Sequence, residues 1–469
     1  MVAADSRRPA PAWRERLSLA VYSLLVRAAT PLLRRKLRRR GKSEAGYLLN
    51  IDERFGRYPA ALEAALAQRA WPRIWLHAVS LGETRAAGLL IAALRQRWPG
   101  MQLVLTSSTA TGREEGLRHL RPGDVQLWAP WDTPQAVGRF VAATAPDLGL
   151  LMETEVWPNL MRTLAAHAVP TVLVNARLNE KSARGALRWP ALMQPAYARF
   201  TRVLAQSPAD AERLASVGAT AIVRLGNLKY DAQPDLAQLA LGRQWRHRAA
   251  RPVVLFASSR EGEEAALLQA LQATPAAREA AQWLIVPRHP QRFDAVASLA
   301  QQLGWRVRRR SAGELPPPAA ASDGDAGALA DRRHADSATL WLGDSLGEMP
   351  LYYGLADLAL LGGSFEPLGG QNLIEAAACG CPMLMGPHTF NFAQACEQAE
   401  AAGAALRVPD LDAAVAQACR LLAQPGSLPA MRAAAEGFVA ASRGAVQATV
   451  EQLAELLDTA STPGLPPPH

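Results

Sequence analysis

The stretch Gly362-Gly363-Ser364-Phe365-Glu366-Pro367-Leu368-Gly369-Gly370-Gln371-Asn372-Leu373-Ile374-Glu375 decides the fold. It follows an apolar run, residues 356–361, that reads as a buried strand. It leads into Ile374-Glu375-Ala376-Ala377-Ala378, which reads as a helix. Glycine pairs at a strand-to-helix junction let backbone approach a ligand with no side chain in the way. The helix start offers free N–H groups and a positive dipole end to an anion. Glu375, one turn in, is placed to accept hydrogen bonds from hydroxyls. A phosphate beside a sugar diol points to a nucleotide or nucleotide-sugar. The spacing lacks the Gly-Lys-Ser/Thr ending of a P-loop, and no clean dinucleotide fingerprint stands near the chain start.

The same strand-to-helix rhythm runs through most of the chain. Apolar strands are expected at residues 74–78, 102–106, 148–152, 171–174 and 202–205. The series restarts at 252–257, 283–286, 358–361 and 382–385. Such alternation predicts an α/β protein with two doubly wound, Rossmann-like sheets facing across a cleft, ligands lying at the carboxyl ends of the strands. The expected boundaries are an N-terminal segment 1–44, a first Rossmann-like domain 45–232, a linker 233–250, a second such domain 251–440, and a C-terminal helix and tail 441–469. Residues 311–337, rich in Ala, Pro, Gly and Asp, read as a flexible surface insertion. The Pro-rich end from Ser461 reads as disordered.

Composition sets bounds. The 469 residues suffice for two ordinary domains, and 49% hydrophobic with 20% charged residues is a globular balance. Four cysteines, Cys379, Cys381, Cys396 and Cys419, lack the paired spacing of a zinc site and read as reduced thiols. The net charge of +9 is concentrated at the N-terminus, where Arg14, Arg16, Arg27, Arg34, Arg35, Lys36, Arg38, Arg39, Arg40 and Lys42 crowd around apolar residues 17–26 and 28–33. Arg27 and Pro31 interrupt that stretch, which falls short of the ~20 apolar residues of a comfortable membrane span. A basic helix lying in, or dipping into, an anionic membrane surface fits it; a helix packed on the first domain is the alternative. A nucleic-acid arm would need a binding module around it, and none is recognisable.

Candidate chemistry sits at strand ends. His77-Ala-Val-Ser80-Leu-Gly82-Glu83 follows the first strong strand and opens a helix, so Glu83 is a candidate general base. Its plain alternative is a carboxylate complementing the helix dipole. Glu153, in Met152-Glu153-Thr154-Glu155-Val156-Trp157-Pro158-Asn159, ends another strand; a salt-bridged loop is the plain reading. Arg177 and Lys181 are candidate anion holders, and Lys229, in Gly226-Asn227-Leu228-Lys229, could neutralise charge on a leaving phosphate. In the second half, Ser258 and Ser259 open another strand-to-helix phosphate turn. Arg288 and His289 end a strand between prolines, and Gly347, Glu348 and Met349 lead into a helix. No serine elbow, zinc helix or Walker sequence is present, so direct displacement on an activated donor suits the inventory.

Taken together, HAVSLGE, ETEVWPN, NARLNEKS, GNLKYD, VPRHPQRF, GDSLGEMPLYY, GGSFEPLGGQN and GPHTFNF resemble the 3-deoxy-D-manno-octulosonic acid (Kdo) transferases, in the same order, from about residue 45 to 440. The resemblance implies the glycosyltransferase B fold and inverting transfer of Kdo from CMP-Kdo to the lipid A precursor, lipid IVA, in lipopolysaccharide biosynthesis. It implies Glu83 as general base, with Glu153 and Lys229 stabilising the transition state. Arg288, His289, Gly347, Glu348, Met349, Asn372, Leu373, Ile374 and Glu375 would bind CMP. Ser80, Gly82, Arg177, Ser258, Ser259, Gly363 and Ser364 are further candidates for substrate contact. Neither a cofactor nor a metal is implied, and no nucleic-acid partner. The expected site of action is the bacterial inner membrane, catalytic domains on the cytoplasmic side.

The chain departs from the family's usual pattern at Gln371 and Arg260, positions where His is common. Two other readings stay open: a different nucleotide-sugar transferase of the same fold with a lipid acceptor, and a catalytically silent membrane-surface protein. The HAVSLGE and ETEVWPN pair argues against the first. The joint retention of Glu83, Glu153 and Lys229 argues against the second.

Overall fold

A computed structural model describes residues 12–315 and 338–460. The expected insertion therefore lies outside the described residues from 316 onward, as does the Pro-rich tail from 461. The chain forms two compact units. The first runs to Asp231 and takes in the residues from Arg443 onward, and the second is Ala232–Ser442.

In the first unit seven strands form one parallel sheet. They are β1 (Arg73–His77), β2 (Gln102–Ser107), β3 (Val125–Trp128), β4 (Leu148–Met152), β5 (Thr171–Ala176), β6 (Arg202–Ala205) and β7 (Ile222–Arg224), in the order β3-β2-β1-β4-β5-β6-β7. Strands of a parallel sheet are covered on both faces and so read as unbroken apolar runs. Successive side chains bear this out. Ile74 and Leu76 join one core with Leu103, Leu105, Leu148 and Leu150. Trp75 between them joins the opposite core with Val104, Leu151 and Leu173. Each fully buried large side chain contributes ~1.5–3 kcal/mol. The order reverses between β1 and β4, the switch point at which an open α/β sheet leaves a crevice at its carboxyl edge.

The last helix, Ala445–Ala460, belongs to this unit. Ala445, Val450, Leu453 and Leu457 enter the core beside Leu90 and Leu94. Asp231 fixes its start by accepting the N–H groups of Gly444 and Val446, each at 2.6 Å.

The first helix, Ala12–Arg40, continues without a break through Arg27 and Pro31. It is the one described helix long and apolar enough, by length and composition, to cross a membrane. Its inward face is fastened by polar groups. Ser23 Oγ donates to Asn159 Oδ1 at 2.9 Å, Tyr22 hydrogen-bonds Asp132, and Glu15 pairs with Arg199. Its outward face carries Trp13, Leu17, Val21, Leu24, Leu25 and Leu32, all exposed, at helical spacing. The half-buried face also holds Leu19, Val26, Leu33 and Leu37, so apolar side chains line both faces, unlike a surface helix with a single apolar stripe turned to the core.

The second unit repeats the architecture. Strands β8 (Val253–Ser259), β9 (Gln282–Pro287), β10 (Arg306–Arg309), β11 (Thr339–Leu342), β12 (Leu358–Leu361), β13 (Met383–Met385) and β14 (Ala405–Arg407) form a parallel sheet, β10-β11-β9-β8-β12-β13-β14. Its switch point lies between β8 and β12. The 233–250 stretch holds the helix Leu236–Arg248, whose N-terminus Asp235 caps through the N–H groups of Ala237 and Gln238. This helix packs on Met349–Leu355, where a side chain at Gly242 would collide with the Leu351 carbonyl. The four cysteines are free, and Cys379, Cys381 and Cys396 are buried, as expected of reduced thiols. Burial pushes the thiols of Cys379 and Cys396 up to about 12 and about 11.

Candidate functional site

Two clusters occupy the two switch points. In the first unit β1 ends at His77, and Ser80 caps the helix Leu81–Arg97. Ser80 Oγ accepts the Glu83 N–H at 3.4 Å and donates to Glu83 Oε1 at 3.0 Å, while Glu83 Oε2 accepts the Val79 N–H at 2.9 Å. This arrangement resembles a capping box, except that Glu83 reaches the N–H of Val79, one residue before the N-cap, and it fixes the carboxylate at the helix start. Burial raises the affinity of Glu83 for a proton. The Val79 N–H opposes that shift, the Glu153 charge adds to it, and Ser80 and His77 oppose it. A carboxyl raised in this way is suited to taking a proton near neutral pH.

Glu153 stands one residue beyond β4 with φ +56°, in the left-handed region, and is buried. Such a backbone persists where surroundings over-determine it and is common at working sites. Its Oε2 meets Arg177 Nε at 2.7 Å, and its Oε1 meets Lys229 Nζ at 3.3 Å. Asn175, at the end of β5, accepts the Leu228 N–H at 3.1 Å and so sets the short turn Leu228–Asp231 that carries Lys229. The result is a half-buried carboxylate beside a buried, doubly cation-paired one.

In the second unit the glycine-rich turn after β12 lies against the turn after β8. A Cβ at Gly362 would stand 2.5 Å from the Ser258 carbonyl oxygen, so only glycine permits this approach. Gly363 has φ +69°, and its carbonyl accepts the Gly370 N–H at 2.7 Å, closing the loop. Asn372 caps the helix Leu373–Ala378 by accepting the Ile374 N–H at 3.2 Å. Arg288 and His289 are exposed at the end of β9. His289 resists protonation through the desolvation that neighbouring groups impose on its ring and then through the nearby cations Arg260, Arg288 and Arg292. Glu348 is gripped by Arg310 through both carboxylate oxygens, at 3.1 and 2.9 Å.

A family model described as 3-Deoxy-D-manno-octulosonic-acid transferase (kdotransferase) matches residues 49–232. A 3-deoxy-D-manno-octulosonic acid transferase of Bordetella pertussis is 45% identical over 446 residues, covering 93% of this chain and 99% of the relative. The chain belongs to the Kdo transferase family. A transferase of the same name from Haemophilus influenzae is 33% identical over 325 residues, 68% of this chain and 71% of the relative. The crystal structure of a glycosyltransferase from Rickettsia africae ESF-5 superposes with a TM-score of 0.52 at 13% identity, covering 82% of this chain and 98% of that one. That likeness is one of fold and agrees with the two parallel sheets of a glycosyltransferase B architecture. The protein is thus a glycosyltransferase that moves Kdo, as its motifs led one to expect.

In this transferase the candidates of the first unit form two bonded sets, Ser80 with Glu83 and Glu153 with Arg177 and Lys229, coupled by the charge of Glu153 on Glu83, and Gly82 is exposed. Lys181 lies beyond Arg177 on the helix Glu180–Leu187 and is exposed. Those of the second unit divide into two sets. Arg288, His289, Gly347 and Glu348 offer side chain or backbone to solvent. Leu373 and Ile374 bury their side chains. Ser364 Oγ is turned inward to the Leu361 carbonyl and the Gly386 N–H, and Ser259 Oγ to Glu264. Three residues escaped the sequence reading. His77, buried, lies 3.8 Å from Glu155 and 2.9 Å from Thr106 Oγ1; its place at a strand's end was the available signal. Asn175 and Glu263 act on backbone N–H groups, and nothing in the sequence marks that.

Proposed function

We propose that the chain transfers Kdo from CMP-Kdo to the lipid A precursor, lipid IVA, by one inverting displacement. The observation that carries this reading is the Glu83–Glu153 pair: a capped, half-buried carboxyl with raised proton affinity beside a buried carboxylate held by Arg177 and Lys229. Glu83 takes the proton from a glucosamine hydroxyl. That oxygen bonds to the anomeric carbon of Kdo as the bond from this carbon to the CMP phosphate oxygen breaks, and CMP leaves with the electron pair. Glu153 holds the two cations in fixed positions, where preorganised charge stabilises the developing negative charge. The turns at 258–262 and 362–375, with Arg288, His289, Gly347, Glu348 and Met349, take the CMP-sugar, with Asn372 and Glu375 at the nucleotide. The buried residues Ser259, Ser364, Leu373 and Ile374 shape that surface from within.

The apolar outward face of Ala12–Arg40, flanked by its arginines, supports docking on an anionic membrane surface. Tyr22 and Ser23 favour a helix that lies on the bilayer, because crossing would break their bonds to Asp132 and Asn159. The membrane this reading requires is the inner membrane, with the catalytic units on the cytoplasmic side, where a CMP-sugar is available. Calorimetry tests the donor assignment: CMP and CMP-Kdo should bind competitively, and UDP-GlcNAc should not displace them. Equal displacement by UDP-GlcNAc would return the chain to the broader class of nucleotide-sugar transferases.

A further inference from the structure

We propose that Glu263 is a positioning residue for the donor: its buried carboxylate locks the turn after β8 to the glycine-rich turn after β12, and CMP-Kdo binding depends on that lock. The proposal rests on the reading of residues 362–375 as the nucleotide-sugar site.

Glu263 opens the helix Glu263–Ala273 and is fully buried. Its Oε2 accepts the N–H groups of Arg260 and Gly363, each at 2.8 Å, and its Oε1 accepts the N–H of Phe365 at 3.1 Å. The Glu366 N–H adds to the same grip. Among the described residues it makes no salt bridge. Burying a carboxylate without a cation is costly unless backbone donors replace water, and here they come from two separate turns. Those turns extend adjacent paired strands, β8 and β12, and touch at Gly362. The neighbouring Glu264 extends the lock to a third loop. It accepts from Ser259 Oγ at 3.0 Å and pairs with Arg292 at 3.0 Å, in the segment after β9 that carries Arg288 and His289. Two consecutive buried carboxylates thus organise all three loops around the proposed CMP site while Glu263 itself has no surface to offer a ligand.

The test uses the full chain and the variants E263Q and E263D. Glutamine puts an NH2 donor against a backbone N–H, and aspartate shortens the reach by one methylene, so each variant loses part of the lock. A loop that visits its binding-competent arrangement less often weakens apparent affinity in proportion, here about tenfold or more for CMP by calorimetry. KM for CMP-Kdo should rise in parallel while KM for the lipid acceptor stays within about twofold. Amide exchange at Arg260, Gly363 and Phe365 should speed up while β8 and β12 keep their protection. Variants with a lowered melting temperature but unchanged CMP affinity would make the carboxylate structural only and overturn the proposal. The wild-type chain supplies a variant-free check: saturating CMP should slow exchange at Gly363 and Phe365, and no change there also overturns it. Asn372→Ala separates the two ideas. If it too leaves CMP affinity intact, the nucleotide assignment fails. If it abolishes binding while the Glu263 variants do not, only the positioning role fails.

Discussion

Glu83→Gln separates the cap that Glu83 forms in the structure from the base role proposed for the same carboxylate. As a cap, Glu83 accepts from Val79 and Ser80. Glutamine keeps one acceptor oxygen, so the capping loss is part of the ~0.5–2 kcal/mol that a full cap is worth, a few degrees in melting temperature. As a base, Glu83 must hold a proton that glutamine cannot take. Losing a general base lowers the rate by about 10²–10⁴-fold, or roughly 2.7–5.4 kcal/mol of barrier. The chemical loss therefore exceeds the structural one, and the two appear in different measurements. The assay is single-turnover transfer from CMP-Kdo followed by mass spectrometry, beside a thermal melt and CMP calorimetry. The expected result is transfer reduced at least about a hundredfold with CMP affinity unchanged. Turnover within about threefold of wild type, with a lower melting temperature, would refute the base and leave only the cap.

Other consequences follow from the same geometry. The acid limb of kcat/KM should lie above the ordinary carboxylate range, because burial and then Glu153 raise Glu83 and activity is lost as pH falls through that raised value. Glu153→Gln removes one raising charge, so the limb should move to lower pH even as the maximal rate drops; a limb that does not move would detach it from Glu83. Asp132, buried beneath the first helix, has its carboxyl pushed up to about 6 by burial, opposed by the N–H groups of Asn159 and Leu160 and by Tyr22. A raised folded value means that its contribution to stability is present at low pH and lost as pH rises through about 6. The stability advantage of wild type over Asp132→Asn should therefore shrink between about pH 4 and about pH 6 in urea titrations, and a constant gap would count against that burial. The double variant Leu24→Asp, Leu25→Asp should lower recovery on anionic vesicles without altering CMP affinity; equal recovery would remove the outward face as the docking surface.

Strands buried on both faces were plain in the sequence because each is a continuous apolar run, as at residues 74–78 and 148–152. Short edge strands were not. Ile222–Arg224, Arg306–Arg309 and Ala405–Arg407 are only three or four residues long and carry arginine, since one side of an edge strand meets no partner. Thr339–Leu342 is buried but directly follows the polar 311–337 stretch, whose composition hid it. The candidate residues were legible where a titratable side chain coincides with a strand end, as at Glu83, Glu153 and Arg288. They were illegible where a side chain serves the backbone of a distant segment. Glu263 stands between Glu261 and Glu264 with no role that the sequence marks, and only the approach of Gly363, a hundred residues later, makes it a buried hub. The first helix was legible in composition but not in facing: only the bonds of Tyr22 and Ser23 to the first unit decide which side looks outward.

The most direct measurement of the central claim is mass spectrometry of lipid IVA incubated with CMP-Kdo and the purified full chain. The account predicts lipid carrying at least one added Kdo, with CMP released in equal amount, and both products at least about a hundredfold slower from Glu83→Gln. Release of CMP with no gain in lipid mass, or equal transfer by Glu83→Gln, would contradict it.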